Sequence, residues 1–156
     1  MKGARVAVLL ATALLTAQAF AQETSLDSYL ELMRSDIRTE KKAIVERVMN
    51  FSESEAAKFW PFYREYELEV SKLGDRRIAA MKDYALHYEK MGDKKADELV
   101  NESFRLQEKR SELMLKWYTK ASKILGLKRA AQWIQVENQI SALIDAKIAS
   151  ETPLLK

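Results

Sequence analysis

Residues 59–91 read FWPFYREYELEVSKLGDRRIAAMKDYALHYEKM, and the spacing of their apolar side chains decides the fold class. Phe59, Tyr66, Leu73 and Ala80 recur every seven residues, as do Tyr63, Val70, Arg77, Tyr84 and Met91. The two sets interleave at steps of three and four, which puts them on one side of an α-helix. A helix from Glu53 to Lys90 would be about 57 Å long at 1.5 Å per residue. Pro61 lies too deep for a first-turn proline and predicts a local bend, because it has no N–H to continue the ladder.

Working outward, a second stripe runs through Leu99, Ser103, Leu106, Arg110, Leu113, Trp117, Ala121 and Ile124. A third runs through Trp133, Val136, Ile140, Leu143, Ile144 and Ile148, and a weaker helix is expected from Leu26 to Met49. The breaks are short, at Asn50-Phe51-Ser52, Met91-Gly92-Asp93 and Leu125-Gly126-Leu127, and loops this brief join antiparallel neighbours. With four Gly and two Pro in 156 residues, little favours strands. The expectation is an all-α fold of four helices around a long antiparallel hairpin.

The N-terminus carries Lys2 and Arg5, an apolar run from Val6 to Ala17, and then Ala19-Phe20-Ala21. A basic start, a short apolar core and an A-x-A site read as a secretory signal peptide over residues 1–21. About 12 apolar residues span roughly 18 Å, well short of the ~30 Å hydrocarbon core, so a retained anchor is disfavoured. Residues 22–156 are then expected to form one helical domain with a short C-terminal tail and no membrane span, located in the periplasm. Without Lys2 and Arg5 the charges balance at 24 basic against 23 acidic. They are interspersed, as in Lys109-Arg110-Ser111-Glu112, which reads as solvated helix surface and not as a nucleic-acid footprint. The absence of Cys removes thiol nucleophiles, Cys-based metal sites and C-x-x-C-H haem attachment.

Three helices begin alike, with Phe51-Ser52-Glu53-Ser54-Glu55-Ala56, Met91-Gly92-Asp93-Lys94-Lys95-Ala96 and Leu125-Gly126-Leu127-Lys128-Arg129-Ala130. Ser52 can cap the first turn while Glu55 reaches back to it, a capping box, with Phe51 as the hydrophobic staple. Gly92 and Gly126 are candidates to close the preceding helix in left-handed geometry. The segment Phe51-Ser52-x-x-Glu55 resembles a conservative variant of the L-T-x-x-Q motif of the Spy/CpxP family of periplasmic proteins. The resemblance covers the mature chain in architecture and only short segments in residues. Ser and Glu replace Thr and Gln at the first copy, and Gly with Lys95 or Arg129 stands at the others. It implies an ATP-independent, chaperone-like or envelope-stress adaptor protein. Such a protein would act as a homodimer on partly unfolded envelope proteins or a sensor domain.

Phe59, Trp60, Phe62, Tyr63 and Tyr66 cover a helical arc of roughly 160°, with Trp117, Tyr118 and Trp133 as expected company. Core packing is the simpler reading. The sharper one leaves Trp60 or Phe62 partly exposed, making Phe59, Trp60, Phe62, Tyr63, Tyr66 and Trp117 a candidate protein-binding set. Arg77 and Arg110 interrupt two apolar stripes. They either snorkel outward or form an interior ionic layer with Asp75, Glu108 and Glu112 in reach. His87 is the single histidine, with no second imidazole or thiol to complete a zinc site. No Gly-rich phosphate loop, nucleophile elbow or Ser-His-Asp set is legible, so neither an enzyme nor a cofactor is expected. Pro153 is expected to end the last helix, with Leu154 and Leu155 packing back as a clasp, the favoured reading, or serving as a short peptide for a partner. The alternative function is a structural envelope spacer with no client binding.

Overall fold

The computed structural model describes residues 37–155, which contain helices and no strand. The expected signal peptide and the start of the first helix lie outside the described residues. The chain divides into two compact units, 1–44 and 45–156. The division falls inside the segment expected to fold as one domain and within the first described helix, α1, at 37–49. All that follows concerns the second unit.

α1 closes at Asn50, which takes a left-handed φ of 42° and donates its N–H to Glu46 O at 3.0 Å. Asn tolerates this region better than most residues because its short polar side chain can bond locally. Two residues later Ser52 begins α2, Glu53–His87, with the expected capping box. Glu55 donates its N–H to Ser52 Oγ at 3.3 Å, and Glu55 Oε2 accepts the Ser52 N–H at 2.9 Å. Phe51 packs further along the helix than a staple residue does, its ring 4.4 Å from that of Phe59 and edge-on to Trp60. Pro61 lies inside α2. The final turn tightens into a 3-10 turn at Tyr88–Lys90, so the α-helix itself is 35 residues, about 52 Å.

α3, Asp93–Leu125, and α4, Leu127–Glu151, are separated by Gly126 alone. Gly126 has φ 80° and ψ 161°, a region open essentially to glycine only. It closes α3 through its N–H to Ser122 O and opens α4 through its carbonyl to the Ala130 N–H, both at 3.0 Å. Gly92 departs from expectation. Its φ of −81° and ψ of 160° are extended geometry that any residue adopts, and it starts α3 without a left-handed closure.

Cross-helix pairs give the directions. Tyr66 meets Met114, Arg76 meets Glu102 and Asp83 meets Lys95, so α2 and α3 are antiparallel. Phe59 meets Trp133, Tyr66 meets Glu137 and Tyr84 meets Pro153, so α4 runs alongside α2 in the same direction. The core sits at the Gly126 end. Trp133 stands edge-on to Phe59, Phe62 and Tyr66 with centroids 5.0 to 5.8 Å apart, a geometry aromatic quadrupoles favour. Ala121 and Ala130, both fully buried, flank Gly126 and let α3 and α4 approach closely. Toward the Gly92 end the packing thins. Leu73, Ile78, Tyr84, Leu99 and Ile148 are only half-buried, and Leu106 is the one buried apolar residue of the first half of α3. Ion pairs on that half, Arg76–Glu102 and Lys95–Asp83 at 2.8 and 2.9 Å, are partly solvated and contribute little each.

Candidate functional site

The aromatic set weighed between core packing and a binding face is, in five members of six, core. Phe59, Phe62, Tyr63, Tyr66 and Trp117 are buried, and Trp60 is half-buried with its ring edge-on to Phe59 and Tyr63. The wide arc is explained by its neighbours. Trp117 from α3 covers Phe62 and Tyr66, while Trp133 from α4 covers Phe59, Phe62 and Tyr66. Of the two residues expected to stay partly exposed on the sharper reading, Phe62 is buried at 7% exposure and Trp60 keeps part of its surface open.

At the centre of this core sits a residue the sequence reading passed over. Glu137 is 1% exposed. Its Oε2 accepts the Tyr66 hydroxyl at 2.7 Å, and its Oε1 accepts Tyr63 Oη at 3.3 Å and Trp133 Nε1 at 3.2 Å. Burial, and then the Glu137 charge, push both phenols far above the ordinary tyrosine range, so they stay protonated and donate. Three donors converging on one carboxylate within aromatic walls satisfy a buried charge. The arrangement fixes α2 against α4. Glu137 lies four residues after Trp133 and three before Ile140, inside the third stripe, and that spacing was the signal available.

The helix-start residues Phe51, Ser52 and Glu55 are brought together, and Glu55 gains a partner that the sequence did not name. Arg129 bonds it through Nε to Oε1 at 3.2 Å and lies over the Phe51 ring at 5.4 Å. The Ser52 N–H, first among several hydrogen bonds, holds the Glu55 carboxyl below the usual range. At the second unit Lys95 instead joins Asp83 at 2.9 Å and Glu98 at 3.2 Å.

Arg77 and Arg110 find partners on α4. Arg77 pairs with Asp145, and Arg110 donates to Ser141 Oγ at 2.6 Å. Arg77 stays 41% exposed, so neither the interior ionic layer nor the pairing with Asp75, Glu108 and Glu112 describes it. His87 contacts Asp83 at its own helix end, and among the described residues no group of three His, Cys, Asp or Glu could hold a metal. The tail departs from expectation as well. Tyr84 Oη donates to Pro153 O at 2.6 Å, yet Leu154 is 87% exposed and Leu155 about half, so neither packs back.

What is open lies on the surface. A groove of about 480 Å³ between α2 and α3 is floored by Leu73 and Leu113 and walled by Lys72, Arg76, Lys109 and Lys116 with Glu69 and Glu112. A smaller hollow of about 230 Å³ shares Arg76 and continues past Ala79 and Ala80 to Asp83 and Glu102. Large apolar side chains stand out at both ends, with Leu86 at 81%, Val100 at 52% and Phe104 at 64% toward Gly92, and Leu115 at 67% and Leu127 at 70% toward Gly126. Among the described residues no helix is long and apolar enough to cross a membrane. No family model, curated protein or solved structure matches the chain.

Proposed function

We propose that the chain is an exported periplasmic protein that binds other proteins, chaperone-like or as an envelope-stress adaptor, without nucleotide and as a homodimer. The observation that carries the binding reading is the number of large apolar side chains left outside the core. Met81, Leu86, Val100 and Phe104 stay exposed on both sides of the Gly92 turn, and Leu68, Leu115, Leu127 and Leu143 are exposed elsewhere on the helices. Apolar side chains left outside a core are what a partner's own apolar segments can cover. The weakly held ion pairs of the Gly92 half allow local adjustment around such a segment. The signal-peptide reading of residues 1–21 supports export, and the helix-start resemblance supports the family of partners: partly unfolded envelope proteins or a sensor domain.

The test is suppression of client aggregation by the purified mature chain without ATP, at near-stoichiometric ratio. The double substitution Val100→Asp with Phe104→Asp is expected to abolish it while leaving the melting temperature within a few degrees. Unchanged aggregation in the presence of the unaltered protein would leave the spacer reading in its place.

A further inference from the structure

We propose that the groove between α2 and α3 is a docking site for an acidic amphipathic helical segment of a partner protein. The proposal rests on the protein-binding reading and names the chemistry of one surface. Lys72 and Arg76 stand one turn apart on the α2 wall, and Lys109 and Lys116 two turns apart on the α3 wall. Two carboxylates, Glu69 and Glu112, share the lining, so the groove carries two more cations than acids. Leu73 and Leu113 give it an apolar floor.

Two arguments fix the class of occupant. The cations are spread along roughly 10 Å of helix, at 1.5 Å per residue, and do not converge on a point. That spacing suits carboxylates spaced along a peptide and not a single phosphate. The apolar floor suits the seam of an amphipathic helix lying between two helices.

The cations can be recruited. Lys116 bonds both Glu69 oxygens at 2.7 Å and Lys109 bonds Glu112 at 2.8 Å, all partly exposed pairs of the kind that exchange readily. Lys72 makes no ion pair among the described residues. Alongside the groove, Lys120 Nζ lies 4.1 Å from the Trp117 ring centroid, extending the positive edge toward the Gly126 end. The groove also contains its own reporter. Trp117 Nε1 donates to Glu69 Oε2 at 3.0 Å, so an occupant that draws Lys116 away alters the environment of the Trp117 indole N–H.

The experiment titrates the whole mature protein, labelled with nitrogen-15, with a synthetic helical peptide of about 14 residues, roughly 21 Å. The peptide has a leucine seam flanked by glutamates. The indole N–H of Trp117 is expected to shift with saturation, and affinity to fall about tenfold as ionic strength rises from ~0.1 to ~1 M, where screening shortens to about 3 Å. The Lys72→Glu with Arg76→Glu variant is expected to bind about tenfold more weakly. A peptide with glutamine for each glutamate is expected to do the same on the unaltered protein, which keeps the test independent of that variant's folding. Equal binding of both peptides, no Trp117 shift, or equal binding to phosphatidylglycerol vesicles would each overturn the proposal. Client aggregation is measured on the same samples. Suppression without peptide binding sinks the groove alone, and loss of both sinks the protein-binding reading with it.

Discussion

Arg129 is ion-paired with Glu55, and the two occupy the same place in their respective helix-start units, each the fifth residue, counted from Leu125 and from Phe51. The pattern that repeats along the chain therefore meets itself in space, the charged position of one copy answering that of another. Arg129 also covers Phe51, so the first residue of one unit is held by the fifth residue of the other. A double-mutant cycle with Glu55→Gln and Arg129→Gln is expected to show coupling, the double variant losing less stability than the two singles added, as measured by urea denaturation.

The same contact sets an acid dependence. Glu55, Glu69 and Asp83 all have carboxyls held below their ordinary values. For Glu55 the Ser52 backbone N–H is the largest cause, for Glu69 the Lys116 hydrogen bond, and for Asp83 the Lys95 hydrogen bond. A lowered folded pKa means the unfolded chain binds protons first as pH falls. The stabilisation is complete above the ordinary carboxylate value and is lost as pH drops through the lowered one. The melting temperature followed by circular dichroism is expected to be flat on these groups' account above about pH 5 and to fall below about pH 4. Glu55→Gln is expected to make that fall shallower.

Glu137 is expected to be the most sensitive polar position in the described core. Glu137→Leu removes the acceptor of three buried donors and is expected to cost about 3 kcal/mol or more. Tyr66→Phe removes one donor and leaves those of Tyr63 and Trp133 in place, with an expected loss of about 1 to 2 kcal/mol. Denaturant unfolding of both variants checks the order. A Leu variant as stable as the parent would mean that the donors find other acceptors.

The two inter-helix glycines are expected to separate cleanly. An alanine Cβ meets no atom within 4 Å at either Gly92 or Gly126, so crowding does not distinguish them; backbone conformation does. Gly126→Ala is expected to cost about 1 to 3 kcal/mol, because φ 80° with ψ 161° is strained for any side chain. Gly92→Ala is expected to fall within about 0.5 kcal/mol of the parent.

Much of the fold was legible because helical periodicity is a local property. The seven-residue recurrences through Phe59 and Tyr63 placed α2, and the breaks at Asn50, Gly92 and Gly126 fell where the chain turns. The capping box at Ser52 and Glu55 was readable for the same reason, since its partners are three residues apart. What the sequence left open was which helix covers which arc. Phe62 could be read as exposed until Trp117 and Trp133 were placed against it. The partners of Arg77 and Arg110 were missed because they lie on α4, 68 and 31 residues away. Glu137 was missed because a carboxylate within an apolar stripe reads as a surface residue until three donors from two helices are seen to converge on it.

The most direct test of the binding account is to map the contact residue by residue. In spectra of the labelled mature chain with a partly unfolded client, resonances of Met81, Leu86, Val100 and Phe104 are expected to shift or broaden while the Trp133 indole N–H stays in place. Perturbation of Trp133 and Phe59 with Val100 and Phe104 unmoved would contradict it, since the client would then be entering the aromatic core and not the end beside Gly92.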